Sequence, residues 1–254
     1  MQKTAIIIPC YNEGDRLNIK LFKNDVSFLE DIKFIFVNDG SCDNTIEMLE
    51  QIKKDSANNV DIINLKKNKG KAEAIRHAVL TCLKNKEIEY LGYFDADLST
   101  PLYNIKLFLD ILQDNTNNIE IIAGSRIRRM GADIKRHWFR HVLGRIFASF
   151  SSYLLNLPIY DTQCGAKVFT RKVGSIAFHK SFNSKWLFDI EIFARILIYY
   201  KQDKLSNKIY EFPLDSWLDF GQGTISVIDF ISAPFNLFKL YVLYFRKIRI
   251  KNIK

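Results

Sequence analysis

The chain has 254 residues, 48% of them hydrophobic and 26% charged. That composition supports a sizeable core, excludes global disorder and allows one large α/β domain. Eleven Gly and five Pro exclude a collagen-like or Pro-rich chain, and the formal net charge of +9 directs attention to anionic partners.

Residues 4–8 form a short apolar, β-branched run and read as a buried strand ended by Pro9. Residues 33–37 form a second, followed by Asn38-Asp39-Gly40-Ser41. A helix is expected next, capped by Ser41 or Asp43, with Ile46, Leu49 and Ile52 at helical spacing. Residues 61–65 predict a third strand and 66–71 a polar loop. The following helix carries Ala72, Ile75, Val79 and Leu83 on one face. Residues 91–94 predict a fourth strand, stopped at Asp95, and 119–123 a fifth. This β-α alternation predicts a mostly parallel sheet covered by helices. Such sheets bind ligands at the carboxyl ends of their strands. Three polar clusters fall there: Tyr11-Asn12-Glu13, Asn38-Asp39-Gly40 and Asp95-Ala96-Asp97.

The second half is less regular. Residues 142–157 suit an amphipathic helix, 166–169 a strand, 186–200 a helix with Leu187, Ile190, Ala194 and Leu197 on one face, and 209–212 a strand ended by Pro213. Residues 225–245 are largely apolar but contain Asp229, Pro234, Asn236 and Lys239. Charges at the centre of a spanning helix are costly, so an in-plane membrane helix beginning near Pro234 is the first expectation, ahead of core packing or oligomer contact and of a true span. The chain therefore divides into a main domain, 1–224, and a membrane-contacting helix and tail, 225–254. The N-terminus enters a strand at once, without a leader, so a protein retained at the cytoplasmic face is expected.

Charge is concentrated in two places. Residues 126–145 hold seven basic residues and one acid, and residues 246–254 hold five basic residues. Such patches suit phosphate groups, a membrane surface or nucleic acid. Cys10, Cys42, Cys82 and Cys164 lack the short spacing of a zinc or redox motif and read as buried thiols of a reducing compartment. His137 and His141 have no carboxylate between them and do not make a zinc motif.

Asp95-Ala96-Asp97 follows a hydrophobic strand, where two carboxylates can hold a hard divalent cation such as Mg²⁺ or Mn²⁺. The order of motifs sharpens this. Ile8-Pro9-Cys10-Tyr11-Asn12-Glu13, Val37-Asn38-Asp39-Gly40-Ser41, Asn68-Lys69-Gly70-Lys71-Ala72 and Asp95-Ala96-Asp97-Leu98-Ser99-Thr100-Pro101 together resemble family 2 glycosyltransferases of the GT-A fold. Gly124-Ser125-Arg126, Asp161-Thr162-Gln163-Cys164-Gly165-Ala166-Lys167 and Trp186-Leu187-Phe188-Asp189-Ile190-Glu191 resemble the branch that makes polyprenyl-phosphate sugars, notably dolichyl-phosphate glucosyltransferases. The resemblance spans residues 4–217.

The resemblance implies a set of roles. Pro9, Tyr11 and Glu13 would frame the nucleotide base and ribose, with Asp39 on the ring N–H of uracil or guanine. Gly70 would permit close backbone approach and Lys71 would meet phosphate. Asp95 and Ala96 would border the donor sugar and ribose, and Asp97, with Asp95, would ligate the metal. Arg126, Arg136, Arg140 and Gln163 would receive the acceptor phosphate, with Trp138 and Phe139 at a membrane interface or in the core. Asp161 would act as base or orient the acceptor. Asp189 and Glu191, two apart on a helix, point about 200° from each other, so one of the two is expected to face the site. Ser99 stands where some mannosyl relatives carry Gln, which favours a UDP-linked hexose.

The expected reaction is inverting transfer of a hexose, from UDP-glucose, to a polyprenyl phosphate. A lipid phosphate has a second pKa of about 6 and is already largely a dianion, so it needs charge compensation more than a base. A sugar hydroxyl, the rival acceptor, needs a general base. Nucleic-acid binding is disfavoured because acidic residues crowd the expected sheet edge. An inactive scaffold of the same fold is disfavoured by the intact pair Asp95 and Asp97. A homo-oligomer remains open.

Overall fold

A computed structural model describes residues 2–56, 58–114, 116–135, 148–149, 151–153, 155–200, 207–218 and 235–245. The first half alternates strand and helix: β1 (Thr4–Cys10), α1 (Ile19–Phe28), β2 (Ile32–Asn38), α2 (Thr45–Asp55), β3 (Val60–Asn64), α3 (Lys71–Cys82), β4 (Tyr90–Tyr93) and α4 (Asn104–Gln113). The second half adds β5 (Ile121–Ser125), β6 (Asp133–Lys135), β7 (Lys167–Thr170), α5 (Arg171–Ala177), α6 (Phe188–Tyr200), β8 (Ile209–Pro213) and β9 (Ser216–Leu218).

Seven strands form one sheet in the order β3-β2-β1-β4-β7-β5-β8, and β6 pairs with β9 in a separate ribbon. Pairing is parallel except around β7, which runs antiparallel to β4 and β5. Alternation splits the strands between two cores. Ala5, Ile7, Ile35 and Val37 face α3, α5 and α6, whereas Ile6, Ile8, Phe34 and Phe36 face α1, α2 and α4. Each large apolar side chain so buried contributes about 1.5–3 kcal/mol.

Several boundaries differ from the sequence reading. Pro9 does not end β1, which continues to Cys10. Pairing to β4 stops at Ile7, while Pro9 pairs with Val37 on the β2 side, so the missing N–H interrupts no β4 bond. Asn44, not Ser41 or Asp43, stands at the start of α2, although Asp43 Oδ1 accepts the Thr45 N–H at 3.1 Å. Helices α1, α4 and α5 and the β6–β9 ribbon were not anticipated. Cys10, Cys82 and Cys164 are buried, but Cys42 is exposed, which corrects the reading of four buried thiols.

The expected division at residue 224 lies outside the described residues, as do Arg136, His137, Trp138, Phe139, Arg140, His141 and the basic tail. Residues 235–240 are helical and continue into a π-helical turn at Tyr241–Phe245. Leu237 and Leu240 join the same core as α3 and α6, so this part of the C-terminal region packs into the main domain. Among the described residues no helix is long and apolar enough to cross a membrane.

Candidate active site

The sheet topology assembles the site. β1, β2, β3, β4, β5 and β8 share one direction, so the segments after them meet at one edge. Because β7 runs the other way, the segment leading into it, residues 161–166, arrives at that same edge.

The loops after β1 and β2 are tied together. Asn12, at φ 51°, donates its N–H to Ser41 Oγ (3.0 Å) and accepts the Cys42 N–H on Oδ1 (3.0 Å). The Glu13 N–H reaches Thr45 Oγ1 and the Gly14 N–H reaches Asp43 Oδ2. Tyr11 stays exposed and Ala96 is buried in the α4-side core. Asp39 is buried, and its two oxygens accept the N–H groups of Lys69 (2.9 Å) and Gly70 (2.8 Å). It therefore fixes the loop before α3. Burial raises its carboxyl above the ordinary range, opposed by those two hydrogen bonds and by the Lys69 and Lys185 cations.

Asp95 and Asp97 lie on the turn after β4. Leu98 adopts a left-handed backbone, φ 55°, and Asp97 Oδ1 accepts the Ser99 N–H at 2.9 Å. Asp95 pairs with Lys71, whose ammonium burial disfavours but the charges of Asp95, Asp189 and Asp97 hold on. The Asp97 carboxyl is pushed up by burial and then by the charge of Asp95. Glu13 is pushed up to about 7, mainly by burial, with Arg16 opposing and Asp97 and Asp95 adding to the rise. Its Oε2 is buried without a hydrogen-bond partner among the described residues.

Acidic crowding of this kind suits a hard divalent cation. Among the described residues no three His, Cys, Asp or Glu side chains form a ready-made metal cluster. The fit is to an ion such as Mg²⁺, which takes one or two carboxylates and completes its shell with water and substrate phosphate.

Asp95 also touches the acceptor-side motif. A Cβ at Gly165 would fall 1.9 Å from Asp95 Oδ2, so only glycine leaves room for this carboxylate. Beside it, Arg126 grips Asp161 through Nε–Oδ2 (2.6 Å) and Nη2–Oδ1 (2.8 Å). Burial disfavours the Arg126 cation, but Asp161 more than offsets this, and Asp95 adds to the effect. The Arg126 guanidinium lies 5.1 Å from the centre of the Trp217 ring. Gln163 donates its N–H to Asp161 Oδ1 (3.3 Å) and its Nε2 to the Trp186 carbonyl (3.5 Å).

Three supporting residues have no role in the sequence reading, although Lys167 stands in one of its motifs. Glu211 on β8 accepts the N–H groups of Tyr160 (2.8 Å) and Asp161 (2.5 Å) and the Ser125 hydroxyl (2.8 Å), which locks the Asp161 backbone beside β5. Lys167 is fully buried and donates to the Cys164 carbonyl and to Asp189 Oδ1, both at 2.7 Å. Tyr93 donates to the same Asp189 oxygen.

Asp189 and Glu191 thus separate. Asp189 is buried and reaches Lys71 electrostatically. Glu191 is completely buried, and both its oxygens are engaged: Asn183 N–H on Oε2 (2.8 Å), and Arg195 (2.8 Å) and Tyr244 (2.5 Å) on Oε1. A catalytic role expected for Glu191 does not match this setting, since its lone pairs face an internal network.

The comparisons with known proteins agree with this architecture. The chain is 33% identical over 201 residues to a dolichyl-phosphate beta-glucosyltransferase of Dictyostelium discoideum, covering 74% of this chain and 60% of that one. It is 29% identical to the human dolichyl-phosphate beta-glucosyltransferase over 89% of this chain and 75% of the other. The crystal structure of Mycobacterium tuberculosis glucosyl-3-phosphoglycerate synthase, in complex with Mn²⁺, UDP and glucosyl-3-phosphoglycerate, superimposes with a TM-score of 0.64 at 15% identity, over 95% of this chain and 79% of that one. That likeness carries the fold. The family model "Glycosyl transferase family 2" matches residues 5–175, which includes the turn of Asp95 and Asp97, and the chain belongs to that family.

Proposed function

We propose that this chain transfers glucose from UDP-glucose to a polyprenyl phosphate, with inversion at the anomeric carbon. The observation that carries this reading is the Arg126–Asp161 clamp beside Asp95. Both Asp161 oxygens are taken by a guanidinium, so Asp161 orients Arg126 instead of standing free to remove a proton. A phosphate dianion needs a positioned cation and no base, whereas a hydroxyl acceptor needs the base. The names of the similar proteins point the same way.

Asp97, with Asp95, would hold Mg²⁺ or Mn²⁺. When bound, the ion stabilises negative charge on the departing nucleoside diphosphate. Asp39 fixes the loop of Lys69 and Gly70 on the nucleotide side. Gly165 leaves space for Asp95, and Glu211 fixes the segment that carries Asp161. Arg126 then offers its remaining guanidinium edge to the acceptor phosphate. In the same reading Arg136 and Arg140, outside the described residues, would add charge for the acceptor phosphate.

The C-terminal segment supports a peripheral membrane location; the cytoplasmic face is part of the same proposal. Leu237 and Leu240 point inward, while Phe235 is 71% exposed and Phe238 64%, and the basic tail follows. Sedimentation with anionic vesicles checks this: Phe235→Ser with Phe238→Ser is expected to lower the bound fraction without unfolding the chain.

The central experiment measures release of nucleoside diphosphate from UDP- and GDP-sugars, with Mg²⁺ or Mn²⁺, with and without a short polyprenyl phosphate. Release from UDP-glucose that requires the lipid phosphate and is lost in Asp97→Ala is expected. Release that instead requires a glycan hydroxyl overturns the acceptor assignment.

A further inference from the structure

The cations at the catalytic edge are mostly committed to carboxylates. Lys71 pairs with Asp95, Arg16 with Glu13 (2.6 Å) and Arg126 with Asp161. Lys185 differs. It is exposed and has no ion-pair partner among the described residues.

Its place is nevertheless well defined. The Lys185 stem crosses Gly70, with Cδ, Cγ and Cε at 3.5, 3.7 and 3.9 Å from where a Gly70 Cβ would stand. Gly70 has φ 88°, and its N–H is held by Asp39. The Lys185 charge also reaches Asp39. The segment that carries Lys185 is secured on both sides. The Phe182 N–H donates to Glu73 Oε1 on α3 (2.9 Å). Arg195 on α6 donates to the carbonyls of Lys180 (2.7 Å) and Ser181 (2.6 Å), and Glu191 accepts the Asn183 N–H. The backbone is fixed, the stem is laid across a glycine, and the ammonium is left for an external anion.

We infer that Lys185 binds the diphosphate of the nucleotide donor, closing the donor pocket from the acceptor half of the chain; this rests on the nucleotide-sugar reading above. A lysine here supplies charge to a phosphate but nothing to a nucleoside. The effect should therefore separate the two ligands.

The experiment titrates UDP and uridine calorimetrically into the full chain and into Lys185→Met and Lys185→Arg, with Mg²⁺ present. Lys185→Met keeps the stem and removes the charge from an exposed position, so folding, checked by circular dichroism, is expected to be unchanged. UDP binding by Lys185→Met is expected to weaken about 10- to 100-fold, the range of one charge-assisted hydrogen bond. Its dependence on salt should also become shallower, with uridine binding unaltered and Lys185→Arg close to the parent. Equal UDP affinity in the parent and Lys185→Met overturns this assignment alone. A parent chain that does not bind UDP overturns it together with the functional reading.

Discussion

Asp39 and Asp189 are almost equally buried, at 2% and 4% exposure, yet they are neutralised differently. Asp39 accepts two backbone N–H groups from the loop before α3. Asp189 accepts a fully buried lysine and a tyrosine hydroxyl. A carboxylate held by loop amides shares its position with a segment that a ligand can also touch. One held by a buried cation is tied to the core and sets the background charge of the cleft. The contrast extends across the molecule. In the second half the Arg126–Asp161 and Arg195–Glu191 pairs repeat the Asp189 arrangement, each acid held by a side-chain cation, whereas Asp39 in the first half is held by backbone N–H groups. Burial of an acid therefore does not by itself mark a catalytic group.

The strongest test of that contrast is Lys167→Met. It leaves the Asp189 carboxylate buried without its cation, and a loss of about 3–5 kcal/mol in chemical denaturation is expected. Adding Asp189→Asn should return part of it; no recovery would separate Lys167 from Asp189 energetically. Next comes Gly165→Ala, whose methyl group must displace Asp95. Lipid-dependent turnover should fall about 100-fold, the order expected for a displacement near 1 Å, with a melting temperature close to the parent. Asp161→Asn should be milder. About tenfold loss, mainly as a higher KM for the lipid phosphate, fits loss of charge from the Arg126 clamp; a collapse of kcat would instead make Asp161 a base.

The smallest expected effect is a pH dependence on the donor side. Glu13 is raised from 4.5 to about 7, chiefly by burial, so the folded chain binds its proton more tightly than the unfolded chain. The resulting stability is present below about 4.5 and is lost as pH rises through about 7. In metal-free buffer, Glu13→Gln should flatten the fall in urea midpoint between pH 5 and pH 8 (roughly the titration window). An unchanged slope would place the titrating group elsewhere.

The first half was legible because its information is local. Strands β1 to β4 are apolar runs, and each chemical cluster follows its strand within a few residues. Parallel pairing then gathers those clusters without further instruction. The second half resisted because its decisive pairings are distant. Glu211 meets Asp161 across 50 residues, and Lys167 meets Asp189 across 22. A single Glu inside a late strand gives no sign that it holds another strand's loop. Helical spacing separated the directions of Asp189 and Glu191; Lys167, 22 residues from Asp189, follows from packing, whereas Arg195 stands four residues after Glu191 on the same helix, a pairing the spacing itself offers. Met130, almost wholly exposed at the turn before β6, likewise has no counterpart in any sequence pattern read above.

The π-helical turn at Tyr241–Phe245 affects where the chain can be shortened. Tyr244 donates to Glu191 Oε1 and accepts from Asn183 Nδ2 (3.3 Å), and Asn183 lies two residues from Lys185. A truncation made at Pro234 to remove the basic tail would also remove Leu237, Leu240 and this hydroxyl. Lost vesicle binding in such a protein would be inseparable from a loosened donor pocket. A stop codon placed after Phe245 removes the tail while retaining Leu237, Leu240 and the Tyr244 hydroxyl, and so gives the cleaner form for ligand titration.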